Sequence, residues 1–190
     1  NSYKWTGHPN LYNLLMKSLY FGFIEMIKAV LILYILSIDY DIRIIYLIGI
    51  MFGMNITNVL ISPCIQEYFT THYKYSHTLR INALISAFLF ALGTYIISIE
   101  MYYGILLFVL GNIFHTISFA LTKSKINSYV NQNAADMRVY LLSDRMGMVL
   151  SSLGTIPMYV NLHPGYVSGL IIILYILSFW MIPVHNSTQT

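Results

Sequence analysis

Six apolar runs can be drawn along the chain, each of roughly 20 residues, the length a helix needs to cross a hydrocarbon core about 30 Å thick. Backbone groups that face lipid have no water to bond to, so continuous runs of this length must satisfy their own hydrogen bonds as helices. A membrane barrel would instead show alternating strands of about ten residues. The composition agrees: 57% of residues are hydrophobic and 9% charged, against about 25% charged in a soluble domain. The expected fold is an all-α membrane protein, one domain over 1–190 with six transmembrane helices, at 11–37, 43–64, 79–99, 103–122, 139–160 and 166–184.

Several function classes are not expected. The formal net charge is +3, but the basic residues are dispersed, so no Lys/Arg cluster can follow a phosphate backbone and no nucleic-acid partner is expected. A single cysteine, Cys64, excludes an internal disulfide and a CxxC redox pair, and it reads as a small packing residue. His72 and His77 stand near Glu67 without further metal-type partners, which favours a solvated loop over zinc. No GxSxG, HExxH or Walker A string occurs, and the nearest approach to a rhomboid GxSG, Gly165-Tyr166-Val167-Ser168-Gly169, has the wrong spacing. Neither an enzyme nor a cofactor is expected. The first residue is Asn1 and no signal-peptide pattern follows it.

Polar residues inside the apolar runs are the candidates for function, because charge at mid-membrane costs about 2.5–3.5 kcal/mol per residue on insertion scales and is retained facing a bundle interior or water. Glu25 and Lys28 lie three apart in the first run, on one helix face. They read either as a structural ion pair or as cavity-lining groups. Asn112 and His115 share a face of the fourth run; the histidine suits a proton relay or a bond to a neighbouring carbonyl. In the second run Gly49, Gly53 and Thr57 form a small-residue seam, with Asn55, Asn58 and Ser62 on another face. The third and sixth runs are apolar all round, with Ala83, Ala87 and Ala91 in file in the third, and are expected to face lipid.

The stretch Leu121–Pro157 reads as a surface loop entering the fifth helix. Arg138, Asp144 and Arg145 stand at that entry as a membrane anchor or a cytoplasmic gate, followed by Gly147, Ser151 and Gly154 for close packing. Lys4, Lys17, Lys74, Arg80, Lys123, Lys125 and Arg138 fall on one side of a six-span topology and Arg43 on the other. Both termini are therefore expected in the cytoplasm of a cell-membrane protein.

The helices repeat with a period of three: spans one and four carry polar groups, two and five carry glycines, three and six are most apolar. This arrangement resembles one half of a major facilitator superfamily transporter, built from a 3+3 inverted repeat. Arg138, Gly147, Gly154 and Pro157 stand where that family has an arginine at the start of the fifth helix, followed by glycines and a Gly-Pro pair. The departure is the loop between the second and third spans, SPCIQEYFTTHYKYSHTLR, which lacks the family's GxxxDRxGR(R/K) motif. Asp144-Arg145-Met146-Gly147 spells DRxG after the wrong loop. The resemblance implies a C-terminal half or fragment.

That resemblance implies a secondary active transporter, exporting a small molecule or drug by alternating access. Its partners would be the lipid bilayer, a small-molecule substrate and a second six-helix half or another copy. Glu25, Lys28, Asn112 and His115 would line the substrate or proton pathway. The alternative is a stand-alone six-helix membrane protein with an immunity or binding role, or the membrane subunit of an ATP-driven exporter.

Overall fold

The computed structural model describes residues 16–29, 40–99, 103–130, 141–142, 145–151, 153–154 and 164–179. Every element among them is helical. Helix α1 covers residues 16–29, α2 Tyr40–Ile56, α3 Ser62–His72, α4 Tyr75–Ser98, α5 Gly104–Val130, α6 residues 145–151 and α7 Pro164–Phe179. A wide π-turn, Thr57–Ile61, joins α2 to α3.

Among the described residues three helical stretches have the length and apolarity to cross a membrane: Ile48–His72, His77–Ile97 and Gly104–Ser124. A shorter apolar helix occupies Tyr166–Phe179. Of the first expected span residues 16–29 are described, and of the fifth 141–142, 145–151 and 153–154. The chain is thus an all-α membrane protein with three spanning candidates in its described part, where six were expected over the whole.

Helix boundaries also differ from expectation. The polar segment after Cys64 is not a loop, because α3 continues to His72 and α4 begins at Tyr75. Threonines carry much of that extension: Thr70 and Thr71 return their hydroxyls to the carbonyls of Gln66, Glu67 and Tyr68, so polar side chains cover the exposed turn without breaking it. The break is two residues long. Tyr73 is extended (φ −130°, ψ 153°), and Thr78 Oγ1 donates to Phe69 O at 3.2 Å to tie the two helices together. Likewise α5 runs on to Val130, so the segment after Leu121 begins as helix.

Helix α4 is central rather than lipid-facing. Its Ala83, Ala87, Phe90 and Ala91 are buried together with Thr78, Asn82, Ser86 and Thr94, while Leu84, Phe88 and Tyr95 are exposed on the opposite side. A row of small residues four apart lets neighbouring backbones approach; Ala83 O of this row meets Tyr20 of α1, and α4 as a whole packs against α5 and α7. The approach to α5 is closest at a glycine pair: a Cβ on Gly93 would lie 3.0 Å from Gly104 O, and one on Gly104 2.8 Å from Gly93 O. Helix α7 also buries one face, with Val167, Ile171, Tyr175 and Phe179, and exposes Tyr166, Ile173 and Ile176.

Helix α1 is held by polar bonds to three neighbours. Tyr20, fully buried, contacts Ala83 O at 3.4 Å and Ser86 Oγ at 3.3 Å on α4. Ser178 of α7 donates to Met16 O at 2.9 Å, and Ser151 of α6 to Leu19 O at 2.9 Å. Around these bonds the rings of Tyr20, Phe21, Tyr175 and Phe179 meet edge-on or stacked, with centroids 5.4–6.2 Å apart. Edge-to-face rings and hydrogen-bonded hydroxyls together fix the rotation of α1. That rotation decides where Glu25 points.

Candidate functional site

Gln, Asn, Glu or Lys in a membrane-length helix must find partners, since lipid offers none. Helix α1 presents Glu25 and Lys28 one turn apart, and Lys28 Nζ donates to Glu25 Oε1 at 2.6 Å. Across the interface, His115 Nε2 lies 2.9 Å from the same carboxylate oxygen, and Lys28 Nζ donates to Asn112 Oδ1 at 3.0 Å. The four residues singled out in the sequence therefore form one hydrogen-bonded group. It sits near the middle of the Gly104–Ser124 span, about 15 Å from either end at 1.5 Å per residue.

Exposure within the group is uneven. The His115 side chain is 3% exposed and Lys28 15%, whereas Glu25 is 44% exposed. The carboxylate is the group's open side, and the two nitrogen bases form its buried back. His115 is packed among Phe21, Phe90 and Phe119, at 5.5, 5.8 and 6.2 Å between ring centroids. Its Nδ1 is buried without a hydrogen-bond partner among the described residues. A proton on that atom would be an unsatisfied buried donor, so the tautomer with the proton on Nε2, donating to Glu25, is the one this surrounding accommodates.

The network continues into the second span. Asn112 Nδ2 donates to Asn58 Oδ1 at 2.9 Å, and Thr116 Oγ1 donates to the same oxygen at 2.8 Å. The Asn112 amide is thus oriented from both ends, oxygen towards the Lys28 ammonium and nitrogen towards Asn58. In the sequence Asn58 was one of three polar residues on a face and Thr116 carried no signal. Asn55, on the same expected face, is exposed, and Ser62 is buried with its hydroxyl 3.1 Å from Thr57 O and 3.5 Å from Ile113 O. What distinguishes Asn58 is the π-turn that carries it. The sequence signal for that turn is Pro63: proline has no N–H for the carbonyl four residues back and its ring clashes with it, so the helix widens just before it.

The glycine seam of the second span is only partly used. Gly53 is half-buried, and a Cβ there would lie 3.8 Å from Val109 Cγ1; Thr57 is buried, but Gly49 is exposed with no described heavy atom within 4 Å. In α6 the expected close packing is present at Gly147, where a Cβ would come within 2.6 Å of Ser18 Cβ and 2.8 Å of the Ser18 carbonyl carbon. Gly154 meets no described atom within 4 Å. Arg138 and Asp144 lie outside the described residues, and Arg145 is exposed. Cys64 is exposed rather than packed, its Sγ 3.5 Å from Leu60 O. His72 stacks on Tyr68 at 4.4 Å, and no group of three metal-type side chains occurs among the described residues.

No protein-family model, curated protein or solved structure matches the chain.

Proposed function

We propose that this protein is a secondary membrane transporter that couples movement of a small molecule to a proton bound by Glu25 and His115. The observation that carries this reading is the mid-span Glu25–Lys28–His115–Asn112 group, with its carboxylate on the open side. Ionisable residues at such depth are costly and are retained in proton relays and ion pathways. A carboxylate and an imidazole sharing a hydrogen bond supply two proton sites at one point, while the Lys28 ammonium supplies a fixed counter-charge. Release of the proton from Glu25 restores the ion pair with Lys28, and uptake of the proton breaks it. In this reading the chain is a six-helix, major-facilitator-like half that rocks against a second half or another copy. Export of a drug or metabolite is the direction favoured, with both termini in the cytoplasm.

The test uses everted membrane vesicles containing the protein, energised to an acidic interior and challenged with a panel of fluorescent small molecules. Collapse of the gradient by a transported compound is expected for the parent chain, and loss of that coupling for both Glu25→Gln and His115→Ala. Undiminished coupling in both variants would remove these groups from the mechanism.

A further inference from the structure

Two bonds from Ser62 end on one carbonyl: its backbone N–H and its hydroxyl both go to Thr57 O, five residues earlier. This is the hydrogen-bond register of a π-turn, one residue wider than the α-helix on either side. Thr57 returns its own hydroxyl to Met54 O at 2.9 Å, and Pro63 withholds the N–H that would otherwise complete an α-helical turn with Val59. The turn therefore has a neighbouring alternative, the α register in which the Ser62 N–H moves to Asn58 O. Single π-turns inside α-helices recur at functional sites and mark places where a helix changes register.

Asn58 is the residue of this turn that enters the polar group. From the carboxylate outward, a continuous relay runs Glu25, Lys28, Asn112, Asn58, through contacts of 2.6, 3.0 and 2.9 Å, with Thr116 closing on Asn58 at 2.8 Å. Among the described residues, the titratable groups facing Glu25 are Lys28 on its own helix and His115 on α5. From the π-turn the group that enters is the uncharged Asn58 amide, and Thr116 of α5 adds a hydroxyl.

We propose that Asn58 is a positioning residue that transmits the proton state of the Glu25–His115 site to the second span, by holding or releasing the π-turn at Thr57–Ile61. This rests on the proton-binding reading above and names its moving part. With Glu25 ionised, the carboxylate holds the Lys28 ammonium at 2.6 Å, where it also meets Asn112 Oδ1 at 3.0 Å, and the Asn112 N–H bond to Asn58 and the π-turn are both in place. Polarisation of the Asn112 amide by that ammonium strengthens its N–H bond to Asn58. A proton on Glu25 frees Lys28 from this position and weakens the hold. The span then relaxes towards the α register, a change of one residue, or about 1.5 Å of rise and up to about 100° of rotation.

The experiment places spin labels on either side of the turn, at the native exposed Cys64 and at Met51→Cys, also exposed, on the full chain in lipid nanodiscs. Labels 13 residues apart lie about 20 Å from each other along a helix. Distance distributions are recorded at about pH 5 and about pH 8, the range in which histidine titrates, and His115 is followed by NMR in histidine-labelled protein. The expected result is a pH-dependent shift between two populations in the parent chain. Glu25→Gln should hold the low-pH distribution at both pH values, and Ser62→Ala, which removes the hydroxyl clamp on Thr57 O, should shift the chain towards that same distribution. Asn58→Ala should abolish the shift while His115 still titrates; if that variant does not fold, Asn112→Leu cuts the same relay one bond earlier. A full shift in the relay variants overturns the proposal, as does an absent shift in the parent chain whose His115 titrates. If His115 does not titrate at all, the proton-binding reading itself fails and takes this proposal with it.

Discussion

His115 combines two roles that substitutions can separate. Its ring fills space among Phe21, Phe90 and Phe119, and its Nε2 meets Glu25. His115→Ala removes both and leaves a cavity, for which a loss of about 3 kcal/mol is expected by analogy with aromatic truncations in protein cores. His115→Phe keeps a ring of similar size and forfeits the polar contact, worth about 1 kcal/mol between membrane helices. Reversible unfolding in mixed micelles should rank the parent above Phe and Phe above Ala. Equal losses for the two variants would mean that the packing of the ring contributes little and that the bond to Glu25 dominates. This residue was legible in the sequence because a lone imidazole in an apolar run has few inexpensive places to be. Its partners were legible for the same reason: Glu25, Lys28 and Asn112 are each too polar for lipid, and one meeting point satisfies all of them. Thr116 was not legible, since threonine bonds its own helix as readily as a neighbour and its presence in an apolar run signals little.

Helix packing follows small residues, but not every glycine in a seam is used. Gly147 lies against the Ser18 backbone, and a Cβ on Gly154, two turns on, would meet no described atom within 4 Å. Backbone cannot move aside as a flexible side chain can, so Gly147→Leu is expected to cost about 1–3 kcal/mol or more through overpacking, while Gly154→Leu should be close to neutral. The monodisperse fraction recovered after extraction is the measurement, with similar yields for the two variants counting against the α1–α6 contact. Gly93→Ala should behave like Gly147→Leu in direction, because its Cβ would meet Phe108 at 2.8 Å and Gly104 O at 3.0 Å. Periodicity identified the helices at 79–99 and 103–122 to within a turn or so at most ends, yet it misassigned the surroundings of α4. The buried alanine file of α4 is as apolar as a lipid-facing surface, and composition alone does not separate the two. Helix ends were misjudged where polar residues continue a helix into water, as at Gln66–His72 and Thr122–Val130, since polarity marks depth in the membrane and not the end of the helix.

The whole molecule carries its apolar surface in positions consistent with a bilayer. Ile45, Ile48, Met51, Phe52, Val59 and Leu60 are all exposed along the second span, an extent of apolar surface that water would disfavour and acyl chains would cover. The His77–Ile97 span has 21 residues, about 31 Å of helix, which matches a hydrocarbon core of about 30 Å. A helix that crosses places its two ends in opposite aqueous phases. At one end Lys74 is exposed, with Arg80 one to two turns inside; at the other, Tyr103 is exposed beside Gly104. Basic residues are retained on the cytoplasmic side, and aromatic residues settle at either interface, so the basic end sets the orientation. With Cys64 replaced by serine to remove the native thiol, Lys74→Cys in intact cells should resist an impermeant maleimide added from outside and react once the membrane is permeabilised. Tyr103→Cys should react from outside. Reaction at Lys74→Cys with Tyr103→Cys protected would invert the orientation. Outside reaction at both positions would mean that α4 does not cross the membrane, and the mid-depth placement of the Glu25–His115 site would fall with it.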